Sequence, residues 1–460
     1  MIKLTVDLKL ARRILVLGAP VILAMLSQTA INIVDTIFIG HLAPERLATD
    51  GQSALGISLP LFWMFGGFCA ALGVGTQAMV ARRHGEKDPE AAGVVLINSL
   101  ALTLMLSAAA TLLGWYALPA LFRIMHDDPN VRALGTHYAR MRFIGILSMV
   151  GTFSFKAFYD GTERTWVHLL AALLMNASNI FFAWILVFGK LGFPRLEVQG
   201  AGIAAMAASY LGLLLMMAFT FRRSDRIKYR PYRLSRVSGR QIWNIAKLSF
   251  PSGAATAVVM TGFLMVIWVV ARVDDLTPQL GPIHTAATKI IMDILSIAFI
   301  GSMGLGTATA TLVSKSLGEK DPQLAERYGW ESIKIGVYIF GLIGLFEALF
   351  PDMALGIFSA DPLVIDAGRT SMRLMGALES LIAVAIVSTN CLFGAGNTRF
   401  VMFAEFALHF GLLIPLSYLL GVHFELGVIG VWIAAASYPV GLALTMLLKF
   451  RGGGWKTIKI

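Results

Sequence analysis

The sequence predicts an all-α integral membrane protein, with twelve transmembrane helices in two homologous six-helix lobes related by a pseudo-two-fold about the membrane normal. Three observations predict it. The 460 residues are 57% hydrophobic and only 14% charged, with a mean hydropathy of +0.73, whereas a soluble domain carries about 25% charged residues. Apolar runs such as 14–39, 169–188, 202–221 and 428–448 approach or exceed the roughly 20 residues that cross a hydrocarbon core. The chain also repeats itself at half its length. Gly85-Glu86-Lys87-Asp88-Pro89 recurs 233 residues later as Gly318-Glu319-Lys320-Asp321-Pro322. Asp128-Pro129 recurs as Asp361-Pro362 in the same register, and Gly161 with Thr165 recurs as Gly394 with Thr398.

Each element follows from these features. A charged arm with Lys3, Lys9, Arg12 and Arg13 leads into the first run, which is too long for a cleavable signal. Pro20 in that run and Pro251 in its counterpart can kink the first span of each lobe, where alternating access needs a hinge. About twelve runs, six per half, emerge from a sliding hydropathy reading. They are read as helices because lipid offers the backbone no hydrogen-bond partner, and the short alternating strands of a β-barrel are not visible. Gly66, Gly67, Gly73 and Gly75 of the second run suit close packing or bending. The repeated Gly-Glu-Lys-Asp-Pro segments read as turns that end one span and start the next. An even number of spans per half places both halves the same way up, the parallel-repeat arrangement of transporters with a central binding site.

The expected domains are an N-lobe at 1–225, a basic linker at 226–244 and a C-lobe at 245–460. Residues 222–247 hold nine Lys/Arg against one acid, Asp225, and the linker reads as a solvated loop with a surface helix. With the linker, arm and C-terminal tail on the cytoplasmic side, the positive-inside rule is satisfied and both termini are cytoplasmic. The expected location is the cell inner membrane, with the lipid bilayer as the standing partner. The cytoplasmic loop accounts for the +11 net charge without a nucleic-acid partner. Cys69 and Cys391 lie in apolar runs and form neither a disulfide framework nor a metal motif. The DDxxD, HExxH and GxSxG patterns are absent, and so are phosphate-binding loops. An enzyme, a metal or organic cofactor and direct ATP drive are therefore not expected.

The first span ends in Asn32-Ile33-Val34-Asp35-Thr36-Ile37-Phe38-Ile39-Gly40-His41-Leu42, and the second in Gly73-Val74-Gly75-Thr76-Gln77-Ala78-Met79-Val80-Ala81-Arg82-Arg83-His84-Gly85. The fourth runs into Phe158-Tyr159-Asp160-Gly161-Thr162-Glu163-Arg164-Thr165, and the second half carries Gly394-Ala395-Gly396-Asn397-Thr398-Arg399. Together these resemble the signatures of the multidrug and toxic compound extrusion (MATE) family across the whole chain, closer to its DinF-like branch. The resemblance implies a two-lobe antiporter that exports organic compounds, organic cations or other amphipathic molecules, against inward H⁺ or Na⁺.

Asp35 is the leading site candidate. It lies about twenty residues into an apolar run, where an acid is costly and usually faces a cavity. A carboxyl there can carry a proton reversibly; the plainer reading is a solvated Asp near the outer end that caps a turn. Gln28 and Asn32 precede it on the same helical face. The DinF-like branch is similar to an Asn-x-x-x-Asp pattern in the fifth span. Here Asn179 matches the Asn, but Ala183 replaces the Asp. Asn176 on the same face supplies another polar group, or both Asn act as interhelical glue. The Na⁺-linked branch resembles a pattern with an acid eight residues after the seventh-span Pro, and here that position is Val259. H⁺ is therefore favoured over Na⁺. A second polar site in the C-lobe draws on Lys289/Asp293 and Glu405/His409, both i,i+4 pairs that can neutralise themselves, and on Glu379. The 21 Met and 29 Phe suit an adaptable apolar cavity as well as ordinary packing. A lipid-linked oligosaccharide flippase of the same superfamily is the alternative. It calls for more basic cavity residues than a chain with most Lys/Arg in loops provides. Two fused lobes are consistent with a functional monomer.

Overall fold

The computed structural model describes residues 5–42, 44–125, 128–276, 283–359 and 361–460, with all their side chains except those at 29–34, 36, 45, 49, 59, 60 and 63–65. Among the described residues the regular secondary structure is entirely helical. The first half comprises α1 (Leu8–Gly40), α2 (Glu45–Ala70), α3 (Leu72–Gly85), α4 (Pro89–Met125), α5 (Pro129–Ile144), α6 (Ile146–Gly161), α7 (Trp166–Phe188) and α8 (Glu197–Thr220). A short α9 (Arg223–Tyr229) lies in the linker. The second half comprises α10 (Gly239–Leu276), α11 (Ile283–Gly318), α12 (Pro322–Leu349), α13 (Pro351–Gly356), α14 (Pro362–Gly394), α15 (Thr398–Leu408), α16 (Ile414–Tyr418) and α17 (Gly427–Arg451). Eleven helices among the described residues are long and apolar enough to span a membrane, α5 and α6 forming one of them. The remaining expected crossing falls on α2 and α3, which meet at Ala71.

The repeated Asp-Pro pairs start helices. Asp88 accepts from the Ala91 N–H at 2.9 Å, Asp128 from Asn130 at 2.7 Å, Asp321 from Leu324 at 2.9 Å and Asp361 from Leu363 at 2.9 Å. Each following proline occupies the first turn, where its missing N–H costs nothing. Lys87 and Lys320 turn the chain at the same point of each repeat, with φ of 59° and 62°.

The chain divides into two compact units: Leu23–Gly253, and Met1–Ile22 together with Ala254–Ile460. The boundaries fall inside α1 and α10, two residues after Pro20 and Pro251, where a proline removes an intrahelical hydrogen bond. They do not fall at the 226–244 linker. That linker docks on the N-terminal unit instead of standing free in solvent. Asn98 of α4, fully buried, accepts from the Ser238 N–H at 2.8 Å and donates to the Arg236 carbonyl at 3.1 Å. Glu90 faces Arg230, Arg233 and Arg236 at 3.7, 3.2 and 2.6 Å. Within this unit α7 packs on α8, α2 on α5 and α3 on α6. In the C-terminal unit α14 is the central helix, packed against α11, α12 and α17.

Candidate functional site

Asp35 lies in the last turns of α1 and is fully buried. The solvated, turn-capping alternative does not describe it. Tyr138 of α5, also fully buried, donates from its hydroxyl to Asp35 Oδ2 at 3.2 Å. Asn179 of α7 and Arg142 of α5 are the other groups that act on the carboxylate. Asn179 stands close without closing a hydrogen bond. Among the described residues, Asp35 Oδ1 and both Asn179 amide atoms lack a partner. Such orphaned polar atoms are expensive in a low-dielectric interior unless a proton, water or ion meets them.

Arg142 follows Tyr138 by one helical turn and so shares its face. Its guanidinium lies over the Phe62 ring at 4.4 Å, and it lines a cavity of about 70 Å³ within the N-terminal unit. Gln28, Met149, Met175 and Ser209 line the same cavity. Its volume holds a few waters and falls below the roughly 300 Å³ of a drug-sized pocket. The described arrangement therefore presents a small, mainly apolar niche with a few polar groups, joined to the carboxylate through Arg142.

The sequence candidates separate accordingly. Gln28 lines the niche, and the Asn32 side chain lies outside the described residues. The Asn176 amide nitrogen donates to the Ser27 carbonyl at 2.8 Å, tying α7 to α1, while its buried Oδ1 lacks a partner among the described residues. Ala183 is fully buried in an apolar cluster with Ile39 and Tyr138, so hydrocarbon packing fills the place of the second carboxylate. Val259 is half-buried on α10.

In the C-terminal unit the candidates form no single site; among the described residues no hydrogen bond or ion pair links the Lys289/Asp293 pair, the Glu405/His409 pair and Glu379 to one another. Lys289 and Asp293 do neutralise each other, but at an accessible face and not in a buried polar site. They form an ion pair of 2.5 Å with side chains 67% and 44% exposed. Four-residue spacing aligned them on one helical face, and that face is left accessible instead of packed within the unit. Glu405 is buried and accepts from the Tyr438 hydroxyl at 2.9 Å. His409, fully buried, directs Nδ1 to the Glu405 carbonyl at 3.0 Å, while Nε2 lacks a partner. It opens a π-helical turn, His409–Leu413, a distortion that recurs at functional sites. Glu379 is buried with neither oxygen satisfied.

Sequence reasoning missed Tyr138, Arg142 and Glu347. The Tyr138/Arg142 spacing and an arginine inside an apolar span were both legible. Their direction toward Asp35 was not, since it depends on how α5 packs.

Comparison with known proteins places this geometry in context. The sequence pattern of the family described as MatE matches residues 20–185 and 251–419, more than half the chain. A "probable multidrug resistance protein NorM" of Geobacillus kaustophilus is 27% identical over 449 residues, 96% of this chain and 94% of that protein. A protein of the same name from Mesorhizobium japonicum is 26% identical over 448 residues, covering 95% and 93%. The "multidrug resistance protein MdtK" of Pectobacterium atrosepticum is 26% identical over 445 residues, covering 96% and 95%. Among solved structures, an outward-facing multidrug resistance MATE family transporter of the MOP superfamily superposes with a TM-score of 0.86 at 24% identity, covering 97% of this chain and 96% of that one. The DinF-like likeness of the fifth span rests on Asn179 alone.

Proposed function

The chain belongs to the MatE family of membrane transporters, and we propose that it exports organic compounds by cation antiport, with Asp35 as the coupling acid and H⁺ as the ion. Support comes from the fully buried Asp35, held through one oxygen by Tyr138 while the other oxygen lacks a partner among the described residues. A carboxyl so placed accepts a proton in one state and must surrender it, or meet another cation, in the next. Relatives named for multidrug resistance support drug-like substrates. Protonation changes the charge beside Arg142 and the niche, so proton and organic cation bind in alternation. The absent seventh-span acid favours H⁺ over Na⁺, since Val259 stands where the Na⁺-linked pattern places a carboxylate; Ala183, where the DinF-like pattern has its second acid, leaves the proton site of the N-lobe with Asp35 as its carboxylate. A flippase for a pyrophosphate-linked lipid is less well supported, because Arg142 is the single cation among the described residues that line the niche. The proposed setting is the inner membrane, as a monomer with cytoplasmic termini.

The test is efflux of a fluorescent organic cation from proteoliposomes, driven separately by a pH gradient and by a Na⁺ gradient. The reading expects efflux under the pH gradient and its loss in Asp35→Asn. Efflux driven by Na⁺ alone, or an Asp35→Asn protein with unchanged pH-driven efflux, overturns it.

A further inference from the structure

We propose that Glu347 and Glu379 share one exchangeable proton, forming a proton-binding site in the C-terminal unit that is separate from Asp35 and does not rest on the reading of Asp35. Glu347 lies on α12 and Glu379 on α14, and their side chains are 5% and 1% exposed. Each helix carries the same four-residue element, Gly344-Leu345-Phe346-Glu347 and Gly376-Ala377-Leu378-Glu379. The two elements interlock. A Cβ on Gly344 would lie 2.2 Å from the Gly376 carbonyl, 2.6 Å from Glu379 Cβ and 2.9 Å from Glu379 Oε2. A Cβ on Gly376 would lie 2.7 Å from the Gly344 carbonyl and 3.1 Å from Glu347 Cβ. Each glycine thus makes room for the acid of the facing helix.

The surroundings leave this pair without a counter-charge. Among the described residues, both oxygens of Glu379 and Oε2 of Glu347 lack a hydrogen-bond partner. Among the described residues the one charged group that acts on Glu379 is Glu347, and no group of opposite charge acts on either. Charges on the packed elements are engaged elsewhere. On α11, Lys289 and Asp293 pair with each other at an exposed face. Arg369 of α14 pairs with Asp352 of α13 and with Asp366, and Arg373 is exposed. Glu405 of α15 is held by Tyr438, and the basic residues of α17, Lys449 and Arg451, sit in its last turn.

Two adjacent carboxylates in such a place repel each other and cannot both stay charged. A metal ion would need more ligands, and no group of three or more His, Cys, Asp or Glu side chains converges among the described residues. A proton needs only the pair. On loading, one carboxylate takes a proton from water, and the new O–H donates to the other carboxylate. On release that O–H breaks and the proton returns to water. The pair titrates as a unit, so removing either acid removes the shared proton.

Infrared pH-difference spectra of the purified full-length protein in D₂O test this, comparing wild type, D35N, E347Q and E379Q, each checked for monodispersity. A buried-carboxyl signal should persist in D35N, and E347Q and E379Q should each remove that same component while leaving the Asp35 signal. Reading the two variants separately keeps the test decisive if one of them misfolds. If both do, the conservative Glu347→Asp and Glu379→Asp variants take their place, and each should shift that same component. Spectra of E347Q and E379Q that superimpose on wild type overturn the proposal, as does displacement of the D35N signal by NaCl. Because the pair is read in D35N protein without transport, its failure is distinguishable from failure of the Asp35 reading.

Discussion

Tyr138 supplies the hydrogen bond that orients Asp35, and its loss should be felt directly. A hydrogen bond to a charged group contributes about 1.5–3 kcal/mol. Tyr138→Phe is therefore expected to slow pH-driven efflux by about tenfold or more while leaving the protein folded, because the ring still packs among Ile39 and Ala183. Proteoliposome efflux rates, with circular dichroism as the folding control, check this. Outside the spans, Asp7 offers a pH prediction with a definite sign. The Leu10 N–H first, then the Lys9 N–H and Arg327, hold its carboxyl below the ordinary carboxylate range. A group with a depressed value contributes at pH above its unfolded value and loses that contribution as pH falls through the folded one. The arm should thus stay docked at neutral pH and loosen below about pH 4. Hydrogen exchange of the segment from Asp7 through α1's first turn, referred to the intrinsic amide rate at each pH, should show lower protection in acid than at neutral pH. Asp7→Asn should already exchange fast at neutral pH.

At the scale of the element, the repeated motifs are folding devices. Asp321 caps α12 through the Leu324 N–H, and replacing such a cap with alanine costs about 1 kcal/mol. Asp321→Ala and Asp88→Ala should each lower the melting temperature modestly, because the two repeats perform the same task. The paired glycines carry a stricter demand. A Cβ on Gly394 would lie 2.3 Å from the Ala310 carbonyl, where α14 meets α11. A Cβ on Gly161 would lie 3.0 Å from the Ala81 N, where α6 meets α3. Gly394→Ala must push backbone apart and is expected to destabilise by about 1–3 kcal/mol, visible as a drop in melting temperature. Gly161→Ala faces chiefly the Val80 side chain and should cost less. Equal and negligible effects would show that these glycines are not held by packing.

At the scale of the whole molecule, the chain is built from two units whose boundaries lie inside α1 and α10 and not in the basic linker. Asn98 holds the linker to the N-terminal unit through two backbone groups. Asn98→Ala should release it, raising tryptic cleavage around Arg233 and Arg236 several-fold in the purified protein. Salt should accelerate cleavage further, since the contacts of Glu90 with three arginines are partly exposed and screened. Cleavage unchanged by the substitution would mean that the linker is held by other contacts.

By itself the sequence determined the membrane class, the helical content, the duplication and the identity of Asp35 as an acid out of place. Each is a local or periodic property: length of apolar run, register of Gly-Glu-Lys-Asp-Pro, one charge among hydrocarbon side chains. Linear spacing also placed Lys289 and Asp293 on one face. It could not say that this face stays accessible, because a helix's orientation is set by its neighbours. Tertiary structure alone decided that Tyr138 reaches Asp35, that the Asn176 amide nitrogen binds the Ser27 carbonyl, and that Ala183 sits in packed hydrocarbon. It also brought Glu347 against Glu379. Their Gly-x-x-Glu elements are separated by thirty-two residues and meet because two glycines let α12 and α14 approach within backbone contact. Hydrophobic patterning specifies that helices form and bury one face; which polar atoms then find partners, and which are left without them, depends on packing between segments distant in the chain.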